Sequence, residues 1–114
     1  MEMNTVSLNR SEDTIDKILD YIQENCAKNI TNKEIGQKFG FHPNYISSLI
    51  KTATGFPLHR YIVHTRLSYA IDLLEAGELS IAQISRECGF CDVCYFTKCF
   101  KKYIGVLPSE YKWI

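Results

Sequence analysis

Apolar residues in this chain recur every three or four positions, the spacing of one helix face. Nowhere do they alternate strictly, as a half-buried strand requires. Ile15, Ile18, Leu19, Ile22 and Cys26 predict an amphipathic helix over about residues 12–26. Thr31 and Glu34 have capping-box spacing and open a short helix that carries Ile35 and Phe39 and stops at Gly40. Pro43 suits the first position of a third helix, with Ile46, Leu49 and Ile50 on one face and Gly55 as its stop. A long fourth helix runs from near Pro57 to Gly77. Its apolar residues form two stripes, Leu58, Ile62, Tyr69 and Leu73, then Val63, Leu67, Ala70, Ile71 and Leu74, which predicts packing on both sides. Ser80 and Gln83 form a second capping box before Ile81, Ile84 and Cys88. Asp92 caps a sixth helix carrying Phe96, Cys99, Phe100 and Tyr103 up to Gly105, and Pro108 opens a last turn through Tyr111 and Trp113. The expectation is an all-α fold of seven helices.

The chain also repeats itself across the long helix. Ile35, Gly40 and Phe41 match Ile84, Gly89 and Phe90, and after one inserted residue Tyr45, Lys51, Gly55 and Tyr61 match Tyr95, Lys101, Gly105 and Tyr111. Each copy is a short helix, a Gly-Phe turn and a longer helix, the outline of a helix-turn-helix. The turn glycine allows a left-handed residue, and the Phe after it is expected to plug the corner beneath. Gly36 and Ser85 are equivalent small residues that let the second helix of each copy approach closely.

With the inward faces set by the apolar residues, the outward faces follow. They are Asn44, Ser47, Ser48 and Lys51 on the third helix, and Val93, Cys94, Thr97, Lys98 and Lys101 on the sixth. Short polar groups suit base edges and cations suit guanine or phosphate. Asn44 is matched to adenine, Ser47 and Ser48 to either base type, Val93 to a thymine methyl, and Lys98 to a guanine edge or a phosphate.

Over 114 residues, 13 Lys and Arg balance 13 Asp and Glu, with a pI near 6.8. Taken whole, that balance speaks against a nucleic-acid binder. Taken in blocks it does not. Residues 1–24 carry net −4, residues 25–69 net +5, residues 70–90 net −3 and residues 91–114 net +2, so both outward faces lie in positive blocks. No apolar run approaches the roughly 18 residues of a membrane span. Met1 to Arg10 has no secretory-signal pattern.

The run Ser80-Ile81-Ala82-Gln83-Ile84, with Gly89-Phe90, Tyr95-Phe96, Phe100-Lys101-Lys102, Gly105 and Pro108 through Tyr111, resembles the signature of the AraC/XylS family of bacterial transcription regulators. Arg66-Leu67, Ala70 and Leu73-Leu74 resemble that family's linker helix, and the resemblance extends over about residues 12–113. It implies two helix-turn-helix units, homeodomain-like pairs, joined by a long helix. Residues 1–10 would be a tail or linker remnant, 11–56 the first unit, 57–77 the linker helix and 78–114 the second unit.

The same resemblance implies a sequence-specific, double-stranded DNA-binding regulator that acts as an activator. Asn44, Ser47, Ser48, Val93, Cys94, Thr97 and Lys98 would be base-facing, in successive major-groove segments, and Lys51, Lys101 and Lys102 would meet phosphate. RNA polymerase is a further implied partner and the cytoplasmic nucleoid the implied location. No cofactor and no membrane partner are expected. This piece would be a monomer, with any dimerisation supplied by a further domain. Three positions depart from the family pattern: His42-Pro43 replaces a Ser-type cap, Ile50 stands where Phe is usual, and Ser85 where Ala is common.

One rival comes from the spacing of Cys88, Cys91, Cys94 and Cys99, which fits metal or iron–sulfur ligation and so a thiol- or metal-responsive sensor. The helix pattern opposes it, turning Cys88 and Cys99 inward and Cys94 outward, so buried cysteine as a small hydrophobe is preferred and no metal is expected. A helical protein-interaction module is the other alternative. An enzyme is not expected, because His42, His59 and His64 lack metal spacing, and neither paired carboxylates on one helix face nor a Gly-rich phosphate loop is present.

Overall fold

The computed structural model describes residues 14–111. Among these residues there are seven helices and no strand: α1 (residues 14–24), α2 (Asn32–Phe39), α3 (Pro43–Thr54), α4 (Leu58–Ala76), α5 (Ile81–Glu87), α6 (Val93–Ile104) and α7 (Pro108–Tyr111). The expected tail, positions 12 and 13 of the expected first helix and Trp113 lie outside the described residues. α1 ends earlier than the apolar spacing predicts. The Asn25 side chain donates to the Tyr21 carbonyl at 2.9 Å, so the chain turns off and Cys26 is buried beyond the helix rather than on it.

Local chemistry accounts for the other helix ends. The Thr31 hydroxyl accepts from the Glu34 N–H at α2, and at Ser80 both halves of the capping box are present. Gly40, Gly55 and Gly105 close α2, α3 and α6 with left-handed backbone at φ of 81°, 81° and 98°.

The residues divide into two compact units. One holds α1, Asn25 and residues from Ile30 to Tyr61; the other holds Cys26–Asn29 and residues from Ile62 onward. The first buries aliphatic side chains: Ile18 and Ile22 of α1, Ile35 of α2, and Ile46 and Ile50 of α3. The second is aromatic at its centre, where Phe90 meets Phe96 (5.0 Å between ring centroids), Phe96 meets Phe100 (5.7 Å) and Phe100 meets Tyr111 (5.8 Å). Around these rings pack Val63, Leu67, Ala70 and Leu74 of α4 with Ile84, Cys88 and Cys99. Of the two stripes expected on α4, this is the one covered within the second unit. Of the other stripe, Leu58 and Ile62 are buried and Leu73 packs in part against this cluster, while Tyr69 is 39% exposed.

The repeated turns share their backbone and differ in their surroundings. Phe41 N–H donates to the Gly36 carbonyl at 2.8 Å, and Phe90 N–H donates to that of Ser85 at 3.1 Å. A side chain at Gly36 would overlap the Phe41 carbonyl oxygen, so the close approach there is by the turn itself. Phe90 plugs its corner at 4% exposure. Phe41 does not: it is 36% exposed and lies against the exposed Tyr45 ring, 5.0 Å away.

The difference tracks residues 26–29. The backbone of Ala27 lies against Gly89 so closely that a Cβ there would sit 2.5 Å from the Ala27 Cα, whereas Gly40 has nothing within 4 Å. Arg66 of α4, only 8% exposed, holds this segment. Its Nε donates to the Cys26 carbonyl at 2.5 Å, one terminal nitrogen donates to the Lys28 carbonyl at 3.2 Å, and the guanidinium lies 5.7 Å from the Phe90 ring centroid.

Two expectations follow for stability, read as denaturant unfolding midpoints. Gly40→Ala costs about 1–2 kcal/mol for its left-handed backbone alone. Gly89→Ala costs about 3 kcal/mol or more, since Ala27 must move as well; equal losses would contradict the close approach. Arg66→Met destabilises by about 2–4 kcal/mol through the carbonyls left unpaired, and Arg66→Lys does not restore it because an ammonium lacks the planar fork.

Candidate nucleic-acid interface

α3 and α6 begin on equivalent caps of different chemistry. The Asp92 carboxylate accepts from the Tyr95 N–H at 2.7 Å at the start of α6. At α3 the cap is His42, whose ring Nδ1 accepts from the Asn44 N–H at 3.0 Å, with Pro43 as the first helical residue. An imidazole nitrogen two bonds from Cβ reaches the position an Asn oxygen would occupy, so the departure from a Ser-type cap leaves the cap intact. The sequence signal was available: a side chain with an acceptor directly before a proline at the first helical position.

With Ile46 and Ile50 buried, α3 turns Asn44, Ser48 and Lys51 to solvent and holds Ser47 half-buried at the margin. With Phe96, Cys99 and Phe100 buried, α6 exposes Val93, Cys94, Lys98, Lys101 and Lys102 and leaves Thr97 half-buried. Each helix thus presents its predicted residues together on one outer face, each set within its own unit. The Thr97 hydroxyl donates to the Val93 carbonyl at 2.8 Å, so what it offers outward is an acceptor oxygen and a methyl group. The Lys102 ammonium lies 5.2 Å from the centroid of the Tyr103 ring. No acidic residue occupies the first turn of α3 or α6, and basic residues sit in the last turn of both.

The positive charge is less uniform than the sequence count implies. Arg66 contributes to the block at residues 25–69 yet is buried on backbone carbonyls, so it adds no surface cation. An arginine embedded in the apolar stripe Val63, Leu67, Ala70 was the available sign of a buried clamp. Lys38 lies over the Tyr21 ring at 5.2 Å and Arg60 over that of Phe56 at 4.7 Å, each partly committed within the first unit.

The histidines have separate tasks. His42 caps, His59 is exposed, and His64 packs on the Tyr103 ring at 4.7 Å.

The cysteines do not converge. Cys26, Cys88 and Cys99 are buried while Cys91 and Cys94 are exposed, and no group of three metal-ligating side chains comes together among the described residues. Burial pushes the Cys88 thiol up to about 12, helped by Cys26 and Glu87 and opposed by Arg66, and burial also raises that of Cys26. These inward thiols therefore behave as small apolar groups. No described helix is long and apolar enough to cross a membrane.

Comparison with known proteins follows the same outline. A family model described as a helix-turn-helix domain matches residues 35–113. The HTH-type transcriptional regulator YijO of Escherichia coli is 36% identical over 103 residues, covering 90% of this chain and 36% of that protein. The chain thus spans about a third of the length of that relative. The solved C-terminal domain of the two-component response regulator yesN from Fusobacterium nucleatum matches with a TM-score of 0.79 and 30% identity, covering 88% of this chain and 98% of that one. The DNA-binding domain of AdpA, solved in complex with a target DNA, shares the fold at a TM-score of 0.79 and 16% identity, over 86% of this chain and 88% of that one. The repeated turns, the paired outward faces and the matched model together establish that the chain belongs to the AraC/XylS family of DNA-binding transcription regulators.

Proposed function

We propose that α3 and α6 are recognition helices that enter successive major-groove segments on one face of a DNA duplex. In this reading residues 11–56 and 78–114 are the two DNA-binding units and residues 57–77 join them. Asn44, Ser47, Ser48, Val93, Cys94, Thr97 and Lys98 face the bases, while Lys51, Lys101 and Lys102 meet phosphate. The observation that carries the proposal is the repeat in three dimensions: two helices on equivalent caps, each with its apolar side buried and short polar or cationic groups together on the other. The chemistry is binding alone, and it assigns no catalytic role and no cofactor. The work is done at the nucleoid in the cytoplasm.

The residue types divide the labour. A bidentate or acceptor contact to a base edge distinguishes sequences by about 1–3 kcal/mol, whereas a lysine on a phosphate adds affinity without choosing among them. Lys98, in the middle of the outward face of α6, belongs to the first class. Lys51 and Lys101, in the last turns of their helices, belong to the second.

Duplexes selected from a random pool test these roles. Lys98→Ala is expected to change which base is preferred at one position, at about 1–3 kcal/mol against the original choice. Lys51→Ala and Lys101→Ala are expected to lower affinity on all duplexes alike. Each also reduces the slope of log affinity against log salt by about 1. Equal losses on every sequence for all three variants would overturn the assignment.

Activation is part of the same proposal, through a contact to RNA polymerase. A promoter carrying the selected site upstream is expected to give more transcript when the protein is added; less transcript would make it a repressor.

A further inference from the structure

We propose that His42 is a positioning residue for the base-facing Asn44, and that one proton on its imidazole weakens what α3 reads. The proposal rests on the DNA-binding reading of that helix. The ring Nδ1 accepts from the Asn44 N–H at 3.0 Å, so the residue matched to an adenine edge is held by its own backbone amide. A neutral imidazole has one acceptor nitrogen. Here α3 uses it, which leaves the ring proton on Nε2.

Protonation turns Nδ1 into a donor. It then faces the Asn44 N–H as donor against donor, and the cap is lost. Nothing else in the first turn replaces it, because Pro43 offers no side-chain acceptor and no acidic residue is present there. The turn that carries Asn44 loosens as a result. α6 does not share this sensitivity. Its cap is the Asp92 carboxylate, which keeps an acceptor oxygen whether or not it carries a proton. Acid therefore separates two helices that are equivalent in backbone.

The imidazole is exposed, and the bond to Asn44 is the hydrogen bond it makes. α2, packed against α3, carries Lys33, Glu34 and Lys38, and α3 itself carries Tyr45 and Lys51. Among the described residues no ion pair ties His42 to any of these, so the cap is the contact that changes when the ring is protonated. The sign follows. The cap is complete while the imidazole is neutral, and it is lost as pH falls from about 8 to about 5, the interval in which histidine changes charge.

Affinity for a selected duplex is measured across that interval, together with base preference at the position that Asn44→Ala identifies. The wild-type chain is expected to bind about fivefold more weakly at the acid end, the size of losing one helix cap. Its preference at the Asn44 position should relax while the positions read by α6 keep theirs. His42→Asn and His42→Ser each retain an acceptor that does not titrate. Both are expected to match the wild-type affinity at the alkaline end and to hold it at the acid end. A wild-type affinity that is flat with pH would overturn the proposal, as would an equal acid loss in both variants or weak binding by both at every pH. An affinity that rises with acid through His42 would also overturn it, making the imidazolium a phosphate contact instead. Failure of the wild-type chain to bind any selected duplex at the alkaline end would overturn the DNA reading itself. Magnetic resonance of the His42 ring nitrogens and the Asn44 amide would then decide whether protonation opens the cap.

Discussion

The second helix-turn-helix depends on one buried guanidinium. Arg66 donates to the carbonyls of Cys26 and Lys28 and lies over the Phe90 ring, so one side chain meets both the segment at residues 26–29 and the plug of the turn. A buried arginine is costly unless its donors are used, and the buried Cys26 carbonyl and the part-buried Lys28 carbonyl use them here. Once that segment is held, Ala27 presses on Gly89, and only a glycine fits, both for its left-handed backbone and for the space left to it. Next to that glycine Phe90 is buried, and it begins the ring series that runs through Phe96 and Phe100 to Tyr111.

The first unit reaches the same turn by other means. Its core is isoleucine where the second has phenylalanine: Ile46 corresponds to Phe96 and Ile50 to Phe100. Among the described residues nothing presses on Gly40, and Phe41 stays exposed against Tyr45. The α3 cap is an imidazole rather than a carboxylate. Two copies of one backbone motif thus rest on different contacts, so equivalent substitutions are expected to carry different penalties.

Much of this was legible in the sequence because it is local. Helix ends are set by short-range chemistry, so Thr31, Ser80, Asp92 and the glycines at 40, 55 and 105 mark them correctly. Inward faces follow from periodicity, and with them the outward faces of α3 and α6. What escaped is what depends on distant chain. Phe41 and Phe90 are the same letter in the same motif, yet Phe90 lies in the core of its unit beneath Arg66 while Phe41 is 36% exposed. Tyr69 has the right spacing for a stripe but sits where the second unit does not cover it. Arg66 looks like surface charge in a count and is in fact structural.

Net charge is likewise a poor summary here, since α3 and α6 present lysines outward while Arg66 is withdrawn from the surface. The central claim is that both recognition helices engage one duplex, and selecting bound sequences from a random duplex library tests it most directly. The account predicts a site of two specified segments with centres about one helical turn, roughly 34 Å, apart. A single specified segment, or enrichment of no sequence at all, would contradict it.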